Sequence, residues 1–248
     1  MLQRRFIIAQ VFPETSWTLL AKAREQCAEG ARARDDFAKT YDRPVQEFLS
    51  VIVHDREKAR DLSQEFFRKL SASGAIFEHA THERGRFRDF LKQALRNHAA
   101  DYYRRERAEG RQVHPDQEGA ERWELLHFSK LPEAEAAFHQ AWVKVVLGQA
   151  LKRVRAVCLK RNQDVHFELF RARYLCGSEA VPSWHELGAP FGMDEKTARD
   201  RAETVARHFR SVLRQMLRNE IRLSGHPGRI PDEAIDDEIR ALLFPLKR

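Results

Sequence analysis

Apolar residues recur every three or four positions along most of the chain, which is the spacing of amphipathic helices. The simplest case is the stretch DLSQEFFRKL, where Leu62, Phe66 and Leu70 follow one another at steps of four. Glycine and proline, which interrupt regular structure, number only 11 and 9 among 248 residues. The pattern therefore predicts an all-α protein rather than one with many short strands.

An earlier stretch, ARDDFAKTYDRPVQEFLSVIV, shows the same spacing with one break. Its apolar positions are Phe37, Tyr41, Val45, Phe48, Leu49 and Ile52. Pro44 lies among them, and proline removes a backbone hydrogen bond from a helix interior. We therefore expect helices over residues 16–53, interrupted at Pro44.

The most unusual stretch is ERGRFRDFLKQALRNHAADYYRRERAEGR, residues 83–111, because it combines many cations with many aromatic rings. At helical spacing one side is apolar and is predicted to face the core: Phe87, Phe90, Leu91, Ala94, Leu95, His98 and Tyr102. Roughly opposite lie Lys92, Arg96 and Tyr103, and along one flank lie Asn97, Asp101 and Arg104. A surface for single-stranded nucleic acid needs cations for the backbone and rings for unstacked bases, whereas a solvated helix needs no outward rings. Both interpretations stay open on this helix alone.

The periodicity fails from Arg105 to about Pro132, in the polar stretch RRERAEGRQVHPDQEGAERWE. Gly110, Pro115 and Gly119 lie within it, and this composition is typical of a linker. Helical spacing resumes with Leu147, Leu151, Val154 and Cys158, and Pro231 marks the start of a last helix with an apolar stripe. The predicted organisation is a domain over 1–105, a linker over 106–132, a domain over 133–222 and a helical tail over 223–248.

The stretch SWHELGAPFGMDEKTARDR predicts a helix-turn-helix. Ser183 and Glu186 have the spacing of a capping box, Gly192 supplies a sharp turn, and the Asp194 carboxylate can cap the next helix. The small core is predicted to hold Leu187, Phe191, Met193 and Ala198, while Gly188 lets the two helices approach closely. The fold prediction is therefore all-α, with two small helical domains joined by a linker, the second a helix-turn-helix (winged-helix-like) DNA-binding module.

In such a unit the first turns of the second helix enter the major groove of DNA. The residues placed to meet base edges or phosphates are Glu195, Lys196, Thr197, Arg199, Asp200 and Arg201. Two positions depart from the usual pattern, because Pro190 lies inside the first helix and Arg201 takes a position where an apolar residue is expected. An ordinary helical hairpin with a basic surface is the alternative.

Net charge agrees with a polyanionic partner. The 44 basic and 37 acidic residues leave a formal charge of +7 and a pI near 9.5. Three cysteines fit neither a metal-ligand nor a disulfide pattern, which favours a reducing cytoplasm. No apolar stretch approaches the roughly 18 residues of a membrane span, so we expect no membrane partner.

Taken together, these stretches resemble the extracytoplasmic-function class of bacterial RNA polymerase sigma factors, over about residues 15–221. DLSQEFFRKL is similar to the polymerase-docking helix of that family, RGRFRDFLKQALRNHAADYYRRERA to its promoter-melting helix, and FRARYLCG with the helix-turn-helix stretch to its upstream-element reader. The similarity is greatest to the variant group common in planctomycete-like bacteria, which has a GRFRxFL entry. Phe90 stands where the family often has tryptophan, and the usual LPxxxR start of the second module is absent.

The resemblance implies a partner and a set of contacts. Core RNA polymerase would be contacted by Asp61, Gln64 and Glu65. The minus-ten promoter element would be faced by Arg88, Asn97, Asp101, Arg104 and Arg105, with Lys92, Arg96 and Tyr103 added from the single-strand surface. The minus-thirty-five element would be read by Lys196, Thr197, Arg199 and Arg201, beside Asp200. An anti-sigma regulator that docks on the last helix is an alternative to simple packing of that helix.

Two other classes of function compete with this interpretation. His79 and His82, with Glu78 and Glu83 nearby, invite a metal site, yet no third ligand stands at fixed spacing. No paired carboxylates, glycine-rich phosphate loop or nucleophile elbow occurs elsewhere, so we predict no enzyme and no cofactor. The other alternative is a helix-turn-helix regulator that binds duplex DNA as a dimer without polymerase.

Overall fold

A computed structural model describes residues 27–73, 87–108, 117–175, 181–221 and 232–243. These residues form eight α-helices and one 3-10 turn, with no strand among them. The helices are α1 (Ala28–Val53), α2 (Arg56–Ser73), α3 (Phe87–Ala108), α4 (Gln117–Lys160), α5 (Asp164–Tyr174), α6 (Trp184–Gly188), α7 (Glu195–Ile221) and α8 (Asp232–Leu243); the 3-10 turn is Ala189–Phe191. The all-α prediction is confirmed for the described part of the chain. None of the described helices is both long and apolar enough to cross a membrane.

Two compact units make up the chain. The first unit comprises residues up to Lys144 together with Arg218–Ile230, and the second comprises Val145–Leu217 together with Pro231–Arg248. The division therefore falls inside α4, whereas the sequence predicts a boundary within 106–132.

Helices α1 and α2 supply much of the core of the first unit. Each apolar position predicted for α1 is buried: Phe37, Tyr41, Val45, Phe48, Leu49 and Ile52. Leu62, Phe66 and Leu70 of α2 are buried as well. The interruption predicted at Pro44 is wrong, because α1 continues through that residue. His54, in the left-handed region at φ 53°, ends α1, and the Asp55 carboxylate accepts from the backbone N–H of Glu57 at 2.8 Å to start α2.

Helix α3 adds its apolar side to this core. Leu91, Leu95 and His98 are buried, as predicted. The imidazole of His98 lies 3.1 Å from the backbone oxygen of Leu62, which joins α3 to α2, and burial lowers its pKa.

The predicted linker is helical from Gln117 onward. Residues 117–132 are helical and form the first turns of α4, which is 44 residues long and contains Pro132. The stretch lacks helical periodicity but is rich in glutamate and leucine, which have high helix propensity. Apolar periodicity indicates that one side of a helix is buried, so the lack of such periodicity does not exclude a helix over these residues.

The core of the second unit contains apolar residues of α4, α5 and α7. Val154 and Cys158 of α4 are buried, and the rings of Phe170 and Phe209 lie 5.6 Å apart between α5 and α7. Ile235 and Ile239 of α8 are buried too. The Arg214 guanidinium donates two hydrogen bonds to the Asp236 carboxylate, at 2.7 and 2.9 Å, which attaches α8 to α7. Within the predicted tail over 223–248, Asp232–Leu243 is helical.

Candidate nucleic-acid interface

The helix pair of the second unit begins with a complete capping box. The Ser183 hydroxyl accepts from the backbone N–H of Glu186 at 3.2 Å, and the backbone N–H of Ser183 donates to the Glu186 carboxylate at 2.7 Å. The hydrogen bonds that the backbone N–H and the hydroxyl of Ser183 donate to the Glu186 carboxylate lower the pKa of Glu186. The sequence prediction of this helix start is confirmed.

The turn between the helices depends on two glycines. Gly192 has φ +62°, a conformation that side chains rarely adopt. A Cβ atom on Gly188 would lie 2.7 Å from the backbone oxygen of Met193 and 3.2 Å from the Cβ of Ala198, so only glycine allows this approach. The Asp194 carboxylate then accepts from the backbone N–H of Thr197 at 2.7 Å and caps α7, which lowers its pKa.

The core of this pair is smaller than predicted. Ala198 is fully buried, and Leu187 and Met193 are half-buried, but Phe191 is 44% exposed. The prediction that Phe191 joins the core is therefore wrong. Pro190 sits in the 3-10 turn after α6, where the chain needs no regular α-helical hydrogen bond. Arg201 is half-buried, and its guanidinium donates to the Met193 sulfur at 3.2 Å, which explains a cation at an expected apolar position.

Most of the predicted contact residues of α7 face solvent. Glu195, Lys196, Arg199 and Asp200 are exposed, while Thr197 and Arg201 are half-buried. No carboxylate in the described chain forms an ion pair with Lys196 or Arg199. The first turns of α7 therefore present Lys196 and Arg199 without an ion pair in the described chain, among the exposed carboxylates of Glu195 and Asp200. Lys196 also helps to lower the pKa of the Asp194 cap.

The candidate docking residues on α2 differ in their surroundings. Asp61 and Gln64 are exposed, whereas the Glu65 side chain is only 17% exposed. The Glu65 carboxylate pairs with Arg105 at 2.9 Å and with Lys69 at 2.8 Å. Burial opposes its ionisation, but hydrogen bonds and charges from these two cations outweigh burial and lower its pKa to about 2. Glu65 thus joins α2 to α3.

Four candidate residues of α3 form one exposed flank. They are Asn97, Asp101, Arg104 and Arg105. Arg104 pairs with Asp101 at 2.8 Å, and Asn97 accepts from the Gln93 amide at 3.2 Å. We call these four residues the exposed flank of α3, and they are the part of the predicted minus-ten surface that faces solvent.

The other cations of α3 contact α4. Arg88 is only 7% exposed, and its guanidinium lies 3.8 Å from the centre of the Trp142 ring. Lys92 pairs with Glu135 at 3.4 Å, and Arg96 pairs with the same carboxylate. Burial of Glu135 opposes ionisation, but Arg96 and Lys92 together lower its pKa. We call Arg88, Lys92 and Arg96 the packed cations of α3.

The prediction that Tyr103 points away from the core is wrong. The hydroxyl of Tyr103 donates to the backbone oxygen of Ile52 at 2.8 Å, and burial raises its pKa. The buried line of α3 runs through Arg88, Leu91, Leu95 and Ala99, so it is rotated toward Tyr103 from the predicted side. Phe90, Ala94 and Tyr102, which the sequence places in the core, are half-buried. The described surface of α3 therefore lacks the outward ring expected of a stacking platform.

Sequence reasoning missed Trp142 and Glu135, the residues of α4 that hold the packed cations. Ala134, Phe138 and Trp142 recur at steps of four and are buried. That spacing indicates a core-facing helix but does not say which helix it packs against. The predicted boundaries also assign both residues to the second domain, away from α3.

Within the described residues no group of three or more histidine, cysteine or acidic side chains could hold a metal ion. The histidines at 79 and 82, with Glu78 and Glu83, lie outside the described residues. Comparison of the chain with protein-family models, curated proteins and solved structures found no match.

Proposed function

We propose that this chain is a sigma factor of the extracytoplasmic-function type, which binds core RNA polymerase in the cytoplasm and directs promoter recognition, melting and transcription initiation. In this proposal the first unit docks on polymerase and faces the minus-ten element, and the second unit reads the minus-thirty-five element. The order of motifs along the sequence supports the assignment.

The observation that carries the proposal is the geometry at the start of α7. Its first turns are capped by Asp194, held close to α6 by Gly188, and carry the exposed side chains of Lys196 and Arg199, which form no ion pair within the described chain. A helix presented in this way suits insertion into the major groove, where arginine and lysine donate to guanine or to phosphates. Each good bidentate pair contributes about 1–3 kcal/mol of discrimination between bases.

The docking surface proposed for polymerase consists of Asp61 and Gln64. Both side chains are exposed on α2, while the apolar stripe of that helix is buried. Glu65 supports this surface from the side through its pair with Arg105. We assign Glu65 a positioning role rather than a direct contact with polymerase.

For the minus-ten element the proposal relies on the exposed flank of α3. Arg104, whose partner Asp101 lies on the same helix, can neutralise a phosphate of the opened strand, and Asn97 offers an amide to a base edge. Arg105 is held by Glu65 of α2. Opening a base pair costs a few kcal/mol, and aromatic stacking would offset about 1–3 kcal/mol per base. Because Tyr103 is turned inward, opening must rely more on polymerase than the sequence suggests.

The inward orientation of Tyr103 favours a second candidate function. A helix-turn-helix regulator needs no stacking platform and binds duplex DNA without polymerase. It would select its site tightly as the isolated chain, whereas the sigma factor binds promoters weakly alone and gains affinity when polymerase links both contacts.

Run-off transcription tests the proposal. Purified chain mixed with bacterial core polymerase should transcribe from the DNA upstream of its own coding sequence. The double variant Asp61→Ala with Gln64→Ala should lose transcription and polymerase affinity while its thermal unfolding is unchanged. Arg68→Ala, an exposed change on the same helix, serves as the matched control and should retain both. No transcription by any form, together with tight sequence-specific duplex binding by the isolated chain, would favour the regulator instead.

A further inference from the structure

The second half of α4 and the turn after it carry a run of positive charge without any acidic residue. No aspartate or glutamate occurs between Glu135 and Asp164. The basic residues in that interval are Lys144, Lys152, Arg153, Arg155, Lys160 and Arg161. Such an interval is unusual in a chain whose acidic residues number 37 in 248.

Four of these residues form an exposed surface on the second unit, which we call the basic stripe: Lys152, Arg155, Lys160 and Arg161. No described carboxylate lies within ion-pairing distance of any of them. A merely solvated helix surface usually alternates charges, as α1 does where Lys39 pairs with Asp35 at 2.5 Å. Like charges left without partners destabilise a helix slightly, so the stripe is better explained by an external anion than by stability.

Arg153, on the same segment of α4, also lacks a carboxylate partner among the described residues. Its side chain is half-buried, burial lowers its pKa, and one of its terminal nitrogens has no hydrogen-bond partner. Even a partly desolvated arginine on this segment therefore has no described carboxylate beside it.

The stripe ends next to the helix that carries the helix-turn-helix. Arg161 lies in the turn after α4, close enough to His208 of α7 that its charge adds to burial in lowering the histidine pKa. Arg207, the neighbour of His208, is exposed. From Lys152 to Lys160 the stripe extends about 12 Å along the helix axis, a length over which duplex DNA presents several phosphates.

We propose that the basic stripe binds the phosphate backbone of duplex DNA beside the element read by α7, and so adds sequence-independent affinity to that contact. This inference rests on the proposed function, because it takes the second unit as the DNA-binding unit. Phosphate contacts of this kind fix position and orientation without carrying sequence information.

The test compares binding of the full chain to duplex DNA by fluorescence anisotropy from 50 to 200 mM salt. One duplex has random sequence and the other comes from the upstream region of the chain's own gene. The triple variant Lys152→Gln, Arg155→Gln and Lys160→Gln should bind both duplexes about 10- to 100-fold more weakly at the middle of this range. The slope of log affinity against log salt should decrease in magnitude by about 2 to 3. Any preference between the two duplexes should not change.

A matched control removes the same charge from the first unit. Lys58→Gln, Arg60→Gln and Arg68→Gln change three exposed side chains of α2, and this variant should keep nearly the original slope. An equal loss in both triple variants would reduce the effect to net charge and overturn the proposal, as would an unchanged slope in the stripe variant.

The remaining outcomes separate a protein partner from DNA. Leu159 lies on the same helix surface and is 53% exposed, so Leu159→Ser should disturb a protein contact more than a phosphate contact. If the triple variant or Leu159→Ser binds core polymerase more weakly but binds DNA as before, the surface contacts a protein and the proposal is overturned. Two other results would show separately that the proposed function is wrong. The chain would not support transcription, and the double variant Lys196→Gln with Arg199→Gln would keep the same preference between the two duplexes.

Discussion

Helix α3 of the first unit and helix α7 of the second both carry dense positive charge, but they use it differently. In α3 the packed cations contact Glu135 and Trp142 of α4, and only one flank stays in solvent. In α7 the cations of the first turns, Lys196 and Arg199, form no ion pair within the described chain and remain exposed. Cationic side chains thus stabilise packing in α3, whereas those in the first turns of α7 are available for a ligand.

The difference shows that the availability of a charge depends on what packs against it. A carboxylate such as Glu135, brought from 39 residues away, turns Arg96 into a structural residue. Among the described residues no such carboxylate reaches the second half of α4, so the basic stripe forms no ion pair there. Under the proposed function, positive charge is available to nucleic acid only where neighbouring helices leave it unpaired.

The largest expected effect is on the helix pair of the second unit. Gly188→Val should destabilise the second unit by about 2–3 kcal/mol, because its Cβ would stand 2.7 Å from the Met193 backbone oxygen. Promoter-dependent transcription should be lost as well. Guanidinium unfolding followed by circular dichroism measures the first effect.

Gly148→Ala in α4 is the matched control. Nothing lies within 4 Å of a Cβ atom at that position, so the change should raise stability by about 0.5–1 kcal/mol. Equal stability of the two variants would mean that α6 and α7 do not approach as closely as described.

A smaller effect is expected when α3 loses a packed cation. Arg88→Gln removes the guanidinium from the Trp142 ring and should cost the free energy of unfolding about 1–2 kcal/mol. Arg104→Gln, on the exposed flank, should change stability by less than about 0.5 kcal/mol. Chemical unfolding of the two variants side by side compares packed with exposed charge, and a reversed order would contradict the distinction.

The smallest effect appears only in acid. Because Arg105 and Lys69 lower the pKa of Glu65 to about 2, this carboxylate stabilises the folded state fully above its ordinary pKa near 4.5. The contribution is lost as the pH falls from there toward 2. Arg105→Gln should raise the pKa of Glu65, measured by carboxyl NMR titration, and lessen the acid sensitivity of stability in this range. An unshifted titration would exclude the pair in solution.

Local features of the fold could be predicted, because their causes lie within a few residues. Ser183 with Glu186, and Asp194 with Thr197, satisfy backbone groups three positions away, so the sequence shows both partners. Gly188 and Gly192 also predict the turn from the sequence, because the backbone that they allow to bend or approach lies within a few residues of each. The burial of Leu62, Phe66 and Leu70 follows equally from spacing alone.

Features that depend on distant partners could not be predicted. The side of α3 that is buried was misplaced because Arg88 looks like a surface residue until Trp142 covers it. The sequence predicts an outward Tyr103 because the acceptor of its hydroxyl, the Ile52 backbone oxygen, belongs to another helix. Pro44 was expected to interrupt α1, but burial of Tyr41 and Val45 beside it outweighs a cost of about 3 kcal/mol.

The most direct measurement of the account is strand opening at a promoter that the chain transcribes, followed with a fluorescent base at the minus-ten element in the presence of core polymerase. The account predicts that Asn97→Ala with Arg104→Gln, on the exposed flank of α3, abolishes opening while polymerase binding persists. Lys92→Gln, a packed cation, should leave opening nearly unchanged wherever the protein stays folded. Opening that is lost in folded Lys92→Gln but retained in the flank variant would contradict it.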